Sequence, residues 1–175
     1  MKLFIGCGSS DDIPNYYLDE CSKLLNILLK DNDLIFGAYS KGIMGLCYNI
    51  AHTNNRNITG IALNRHKEDV QDLNCNETIL VDTILERTNL LLKSSDAIVF
   101  LPGGIGTINE IFASIDLRRS NEIDKKIVFY NVNHYFDNIF EFLDRLYSDN
   151  FSPSNIKDLY FVSDNVDEIV DYLNR

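Results

Sequence analysis

Three glycine-bearing runs carry the residue types that handle a phosphate: Gly6-Cys7-Gly8-Ser9-Ser10, the stretch from Gly37 to Gly45, and Gly103-Gly104-Ile105-Gly106-Thr107. The third is the sharpest. Gly103 and Gly104 let the backbone turn tightly and approach a ligand with no Cβ in the way. Gly106 and Thr107 fall where a helix should begin, so free N–H groups and the positive end of a helix converge on one spot. A phosphate is the ligand best suited to that geometry. A plain strand-to-helix turn also favours glycine. The unbroken succession of apolar strand, PGGIGT and helix tips the reading toward anion binding. Neither common nucleotide motif is present. No GKS or GKT ending supplies a lysine for the outer phosphates of ATP, and GCGSSD lacks the third glycine of the dinucleotide fingerprint. Hydride transfer with NAD is therefore disfavoured.

Two charged residues stand near this turn. Glu110 follows Thr107 by about one helical turn and reads in two ways. It is a capping partner for Thr107, or a carboxylate beside a bound sugar phosphate. Arg87, on the preceding helix, reads from spacing alone as an exposed surface arginine. His52, His66 and His134 are far apart, and none has a partner at metal-ligand spacing, so solvated or capping roles are expected and no metal is. Asp11-Asp12 shares only its acidity with a calcium loop. Arg118-Arg119 should end a helix and serve its dipole or a dimer surface.

The elements that must position these groups follow from composition and pattern. The chain has 175 residues, 45% of them hydrophobic, enough for one domain spanning 1–175 with one sizeable core. Its 16 basic and 26 acidic side chains give a formal charge of −10, which disfavours nucleic acid and anionic membranes as partners. The start, MKLFIGCGSS, reads as a first strand rather than a signal peptide. Cys7, Cys21, Cys47 and Cys75 lack CxxC spacing and read as reduced, mostly buried thiols of a cytoplasmic protein. Strands are expected at 2–7, 33–38, 57–63, 78–81, 96–101, 126–131 and 160–163. Helices are expected from Pro14 to Lys30, from Gly42 to His52, through Arg87 to Ser95, after PGGIGT to Arg119, and at 135–149 and 165–174. Residues 64–77, polar and without a clear period, read as a mobile loop. Such alternation implies an α/β fold, a doubly wound, Rossmann-like domain with a mostly parallel sheet.

Taken together, GCGSS after the first strand, FGAYSKGIMG after the second, Glu86-Arg87 and LPGGIGTINE at 101–110 resemble the LONELY GUY (LOG) family. These are cytokinin riboside 5′-monophosphate phosphoribohydrolases, long labelled lysine decarboxylase-like. The resemblance implies a cytoplasmic Rossmann-like homodimer that uses no organic cofactor. It cleaves the N-glycosidic bond of a nucleoside 5′-monophosphate, AMP or an N6-substituted AMP, to free base and ribose 5-phosphate. By motif, Arg87 and Glu110 become the catalytic pair, with Arg87 keeping Glu110 ionised, and Gly103, Gly104, Gly106 and Thr107 the phosphate-binding turn. The decarboxylase label finds no support, because pyridoxal phosphate chemistry needs a Schiff-base lysine and only Lys41 lies in a glycine-rich turn. The family reads MHERK where this chain has Ile84-Leu85-Glu86-Arg87-Thr88, and GTLEE where it has Gly106-Thr107-Ile108-Asn109-Glu110. A non-catalytic nucleotide-binding protein or molybdenum-cofactor carrier of the same fold stands as the alternative. It would keep the phosphate turn and dispense with the pair.

Overall fold

The computed structural model describes residues 1–152 and 156–175. Seven strands form one sheet in the order β4-β3-β2-β1-β5-β6-β7, and every pairing is parallel. They are β1 (Lys2–Gly6), β2 (Asp33–Phe36), β3 (Ile58–Leu63), β4 (Glu77–Val81), β5 (Ala97–Phe100), β6 (Lys126–Tyr130) and β7 (Phe161–Ser163). Between and after them come the helices α1 (Asn15–Asp31), α2 (Gly42–Thr53), α3 (Lys67–Gln71), α4 (Ile84–Ser94), α5 (Ile105–Arg119), α6 (Asp137–Ser148) and α7 (Val166–Asn174). The expected doubly wound α/β architecture is what the chain adopts.

Because side chains alternate across a strand, the central strands feed two cores. Leu3, Ile5, Val99 and Val128 face the layer of α1, α2 and α7, where the stripe Cys21, Leu24, Leu25, Leu28 and Leu29 covers them. Phe4, Ile98, Phe100, Ile127 and Phe129 face α4, α5 and α6 through Leu91, Leu92, Ile111, Ile115 and Leu143. Among the described residues, no helix is long and apolar enough to cross a membrane.

The segment 64–77 differs from expectation. A 3-10 turn (Asn64–His66) leads into α3, and β4 begins at Glu77. Val70 and Leu73 are buried there. Two apolar anchors in so short a stretch cannot display a helical period, which is why the sequence reads as loop. Likewise α6 starts at Asp137, after a 3-10 turn (Val132–His134) in which Asn133 and His134 hold positive φ.

The order of strands decides where a ligand can go. From β1 the chain winds outward through β2, β3 and β4; from β5 it winds the other way. Gly6 is in register with Phe100 at the carboxyl ends of these two neighbours. A crevice opens at such a reversal, outside the strand ends. The first and third glycine turns emerge on either side of it.

Phe129 anchors the α4–α6 face. Its ring lies 5.3 Å from that of Phe100, 5.5 Å from Phe136, and 5.2 Å from both Phe140 and Tyr160. Phe129→Ala should cost about 3–5 kcal/mol, the usual penalty for emptying such a site, read as a lower urea midpoint at unchanged slope. A loss below about 1 kcal/mol would mean the cluster repacks around the vacancy.

Candidate active site

The backbone of Gly8 ties the three glycine turns together. Its N–H donates to Pro102 O at 2.9 Å, and its carbonyl accepts from Met44 N at 3.0 Å. Gly8 and Gly103 approach so closely that a Cβ on Gly103 would meet Gly8 N at 2.8 Å and run into Thr107 as well. The second turn is fastened by Asp11, whose Oδ1 accepts from Gly42 N at 2.8 Å. That carboxylate occupies the start of α2, whereas α5 presents an open N-terminus to the crevice. In the second turn Ala38 holds φ 55°, a conformation that glycine adopts more easily.

At the α5 end, Gly104 is the residue before the first helical turn and makes no side-chain cap. Ile108 N bonds Gly104 O at 3.1 Å. Among the described residues, we find no acceptor for the amides of Gly104, Ile105, Gly106 and Thr107. The Thr107 side chain is 4% exposed; it lines the cavity, and its hydroxyl has no partner among those residues. A Cβ on Gly104 or Gly106 would meet nothing within 4 Å, and neither residue has positive φ. Packing and backbone geometry therefore do not demand glycine at these two positions. Four free amides at a helix start suit an anion, and a glycine there leaves room for one to approach.

The cavity over this turn measures about 570 Å³ and contains Arg87, Glu110 and Thr107 as well as Gly103, Gly104 and Gly106. All six residues singled out in the sequence are thus brought together. Glu110 does not cap α5. It is 6% exposed, and its Oε1 accepts from Arg87 Nη1 at 3.2 Å. The capping box in this region is Thr83 with Glu86, at the start of α4. Nor is Arg87 a surface residue: its side chain is only 18% exposed. Its Nε donates to Ile61 O at 3.0 Å and its Nη2 to Gly37 O at 3.2 Å. The guanidinium is held by the carboxyl ends of β2 and β3 and aimed at α5. Gly37 is required for this, because a Cβ there would collide with the guanidinium.

Burial and the ion pair oppose each other at Glu110. Burial raises its pKa and Arg87 lowers it; burial prevails, and the carboxyl is pushed up to about 7. The expectation that Arg87 keeps Glu110 fully ionised is therefore corrected. A carboxyl poised there can hold or release a proton near neutral pH.

The rest of the wall was not foreseen from sequence. Ile13, Pro14 and Tyr17 from the start of α1, Ile43 and Met44 from α2, and Tyr135 after β6 supply an apolar side. An adjoining pocket of about 800 Å³ shares Ser9, Ser10, Met44, Arg87 and Gly106, and adds Lys41, Arg65 and His66. Cys7 also lines the first cavity, with its Sγ 4.0 Å from that of Cys47, and the hydrogen bond with that thiol together with burial pushes its pKa well up. No lysine lines the first cavity. Lys41 is exposed at the edge of the second, so the residues present do not fit a Schiff-base cofactor.

The departures from the family motifs also find places. Ile84 and Leu85 are 51% and 78% exposed; Ile84 lines the adjoining pocket, and neither lines the first cavity. Asn109 Nδ2 donates to Thr88 Oγ1 at 3.2 Å. The family's lysine and glutamate at these two positions are thus replaced together by a neutral hydrogen-bonded pair across the α4–α5 seam. Thr88→Lys alone should destabilise the chain by about 1–2 kcal/mol by placing one charge at a buried position, whereas Asn109→Glu, at an exposed position, should be close to neutral. The double change should recover most of the loss, read as coupling in a denaturation cycle. Simple additivity of the two would refute the pairing.

The raised Glu110 also predicts a pH dependence of stability. Between its unfolded value of 4.5 and its folded value of about 7, the native state keeps a proton that the unfolded chain gives up. Stability from this group is complete below 4.5 and declines as pH rises through that window, by on the order of 2–4 kcal/mol. Glu110→Gln should remove the decline, so that thermal midpoints of variant and wild type diverge from pH 5 to pH 8 in favour of the variant. Parallel curves would contradict the assignment.

Comparison with known proteins agrees with this geometry. Residues 44–173 match the family described as "Possible lysine decarboxylase". The chain is 26% identical over 176 residues to the cytokinin riboside 5′-monophosphate phosphoribohydrolase LOG2 of Arabidopsis thaliana, covering 99% of this chain and 83% of that protein. It is 28% identical to LOG3 of the same plant, covering 99% and 82%. Among solved structures, the molybdenum cofactor carrier protein of Chlamydomonas reinhardtii superposes with a TM-score of 0.74 at 17% identity, covering 99% of this chain and 95% of that one. At that identity the likeness speaks to the fold alone. With most of its length matched by the family's sequence profile and full-length relatives bearing the LOG name, the chain belongs to the lysine decarboxylase-like, or LOG, family.

Proposed function

We propose that the protein is a phosphoribohydrolase that cleaves the N-glycosidic bond of a nucleoside 5′-monophosphate, AMP or an N6-substituted AMP, to free base and ribose 5-phosphate. The observation that carries the reading is the buried Arg87–Glu110 pair in the same cavity as an unsatisfied helix start. An anion site alone fits a carrier as well as an enzyme. A carboxylate held beside it at the cost of its solvation fits chemistry at the sugar. The LOG relatives carry this activity in their names, whereas the molybdenum-cofactor carriers share the fold.

In this reading the phosphate lies on Gly103, Gly104, Gly106 and Thr107, receiving the free amides and the Thr107 hydroxyl. That fixes the ribose over Glu110. As the bond from C1′ to the base nitrogen breaks, the electron pair leaves with the base and oxocarbenium-like positive charge grows on the sugar. Ionised Glu110 stabilises that charge and accepts the proton of the water whose oxygen bonds to C1′. Arg87 holds the carboxylate by one arm of its fork while two backbone carbonyls hold the others, so neither charge must reorganise during the reaction.

The wider reading takes residues 1–175 as one nucleotide-binding domain, cytoplasmic and homodimeric. The two cores share one sheet, and the four cysteines are free. Ile84, Leu85 and Ile105, the last 87% exposed at the α5 start, offer apolar surface for a second copy beside the cavity.

Incubation with AMP, followed by quantifying adenine, separates the enzyme from the carrier. Glu110→Gln should cut turnover by about 10²–10⁴-fold while leaving AMP binding largely intact, and Arg87→Ala should lower both. Because Glu110 must start ionised, kcat/KM should rise with pH through about 7 and then level. If the Gln variant released adenine at the wild-type rate, the site assignment would be wrong.

A further inference from the structure

Tyr135 belongs to no motif, yet the chain goes to some trouble to place it. It follows β6 through a turn in which Asn133 and His134 stand at φ 53° and 57°. Two successive non-glycine residues in the left-handed region persist only where their surroundings impose it. Asn131 provides much of that constraint. Its Oδ1 accepts from Phe136 N at 2.8 Å, and its Nδ2 donates to Asp137 Oδ1 at 2.7 Å. The Tyr135 ring is set edge-on to Tyr17 at 5.5 Å and to Phe136 at 5.1 Å. Its hydroxyl donates to the carbonyl of Gly103 at 2.8 Å.

That carbonyl belongs to the peptide joining Gly103 to Gly104. A peptide flanked by two glycines rotates as a unit at little steric cost, since neither side has a Cβ to resist. Its two ends point in opposite directions in the trans form. Holding Gly103 O on Tyr135 therefore fixes the direction of Gly104 N–H away from Tyr135, and this amide is one of the four with no acceptor among the described residues. We propose that Tyr135 is a positioning residue for the anion turn: its hydroxyl clamps the Gly103–Gly104 peptide so that Gly104 N–H stays available to the phosphate of the nucleotide. The proposal rests on the phosphate lying at this turn. It adds a contact from the far side of the sheet reversal, supplied by the β6–α6 connection.

Tyr135→Phe keeps the ring and its edge-on contacts and removes only the clamp. Calorimetry with three probes reads the outcome. Affinity for AMP and for inorganic phosphate should fall about tenfold, the effect expected of one well-placed hydrogen bond, while affinity for adenosine, which has no phosphate, should not change. Equal loss for AMP and adenosine would show a merely structural role and overturn the proposal. Unchanged AMP and phosphate affinity in the variant would overturn it too, with the phosphate site left standing. Wild-type protein that binds neither AMP nor phosphate would remove the site itself, and with it the clamp.

Discussion

A largely buried carboxylate and guanidinium face each other in one cavity, and the cost of keeping them there bears on the residues around them. Taking ions out of water is expensive, and a pair of this kind adds little to stability compared with apolar side chains of similar volume. Here the balance is visible in Glu110 itself, whose burial outweighs the pull of Arg87 and pushes its pKa up to about 7. Arg87 is secured by backbone carbonyls at the ends of two strands as well as by its partner. A carboxyl that shares its proton near neutral pH is suited to work at a developing cation.

The neighbouring turn follows from the same sheet reversal. Gly8 brings the first, second and third glycine turns into one unit through two backbone hydrogen bonds. Some glycines in these turns answer to packing, as Gly37 does against Arg87 and Gly103 against Thr107 and Gly8. Gly104 and Gly106 answer to nothing in the protein. The difference separates glycines that the scaffold requires from glycines that packing leaves unexplained, and the latter sit at the open end of α5. The apolar wall of Ile13, Pro14, Tyr17 and Met44 completes a chamber with a charged floor and a greasy side, fit for a ligand with an anionic end and a flat aromatic one.

Much of this was legible in the residues. The unbroken apolar β5 followed by PGGIGT announced a parallel strand running through a tight turn into a helix, and the alternation of strands and helices pointed to the doubly wound order. Arg87 was legible only through the family motif, because its spacing from Glu110 says nothing of the strand carbonyls that draw its side chain inward. Tyr135 and Tyr17 gave no local signal at all, and Met44, though inside the second glycine run, gave none of a place in the cavity wall. They converge from three connections far apart in the chain, and only the strand order brings those connections to one end of the sheet. The short helix α3 escaped for a different reason, since a few buried residues fix it without ever forming a period.

In the proposed function, one cavity holds a phosphate on the Gly103–Thr107 turn and the glycosidic carbon over Glu110. A crystal structure of the Glu110→Gln protein with AMP tests it directly. The phosphate oxygens should lie about 2.7–3.2 Å from the amides of Gly104 to Thr107, with C1′ facing residue 110. A phosphate seated instead by Lys41 and Arg65 in the adjoining pocket, or an adenine ring against residue 110 with the ribose turned away, would contradict the account.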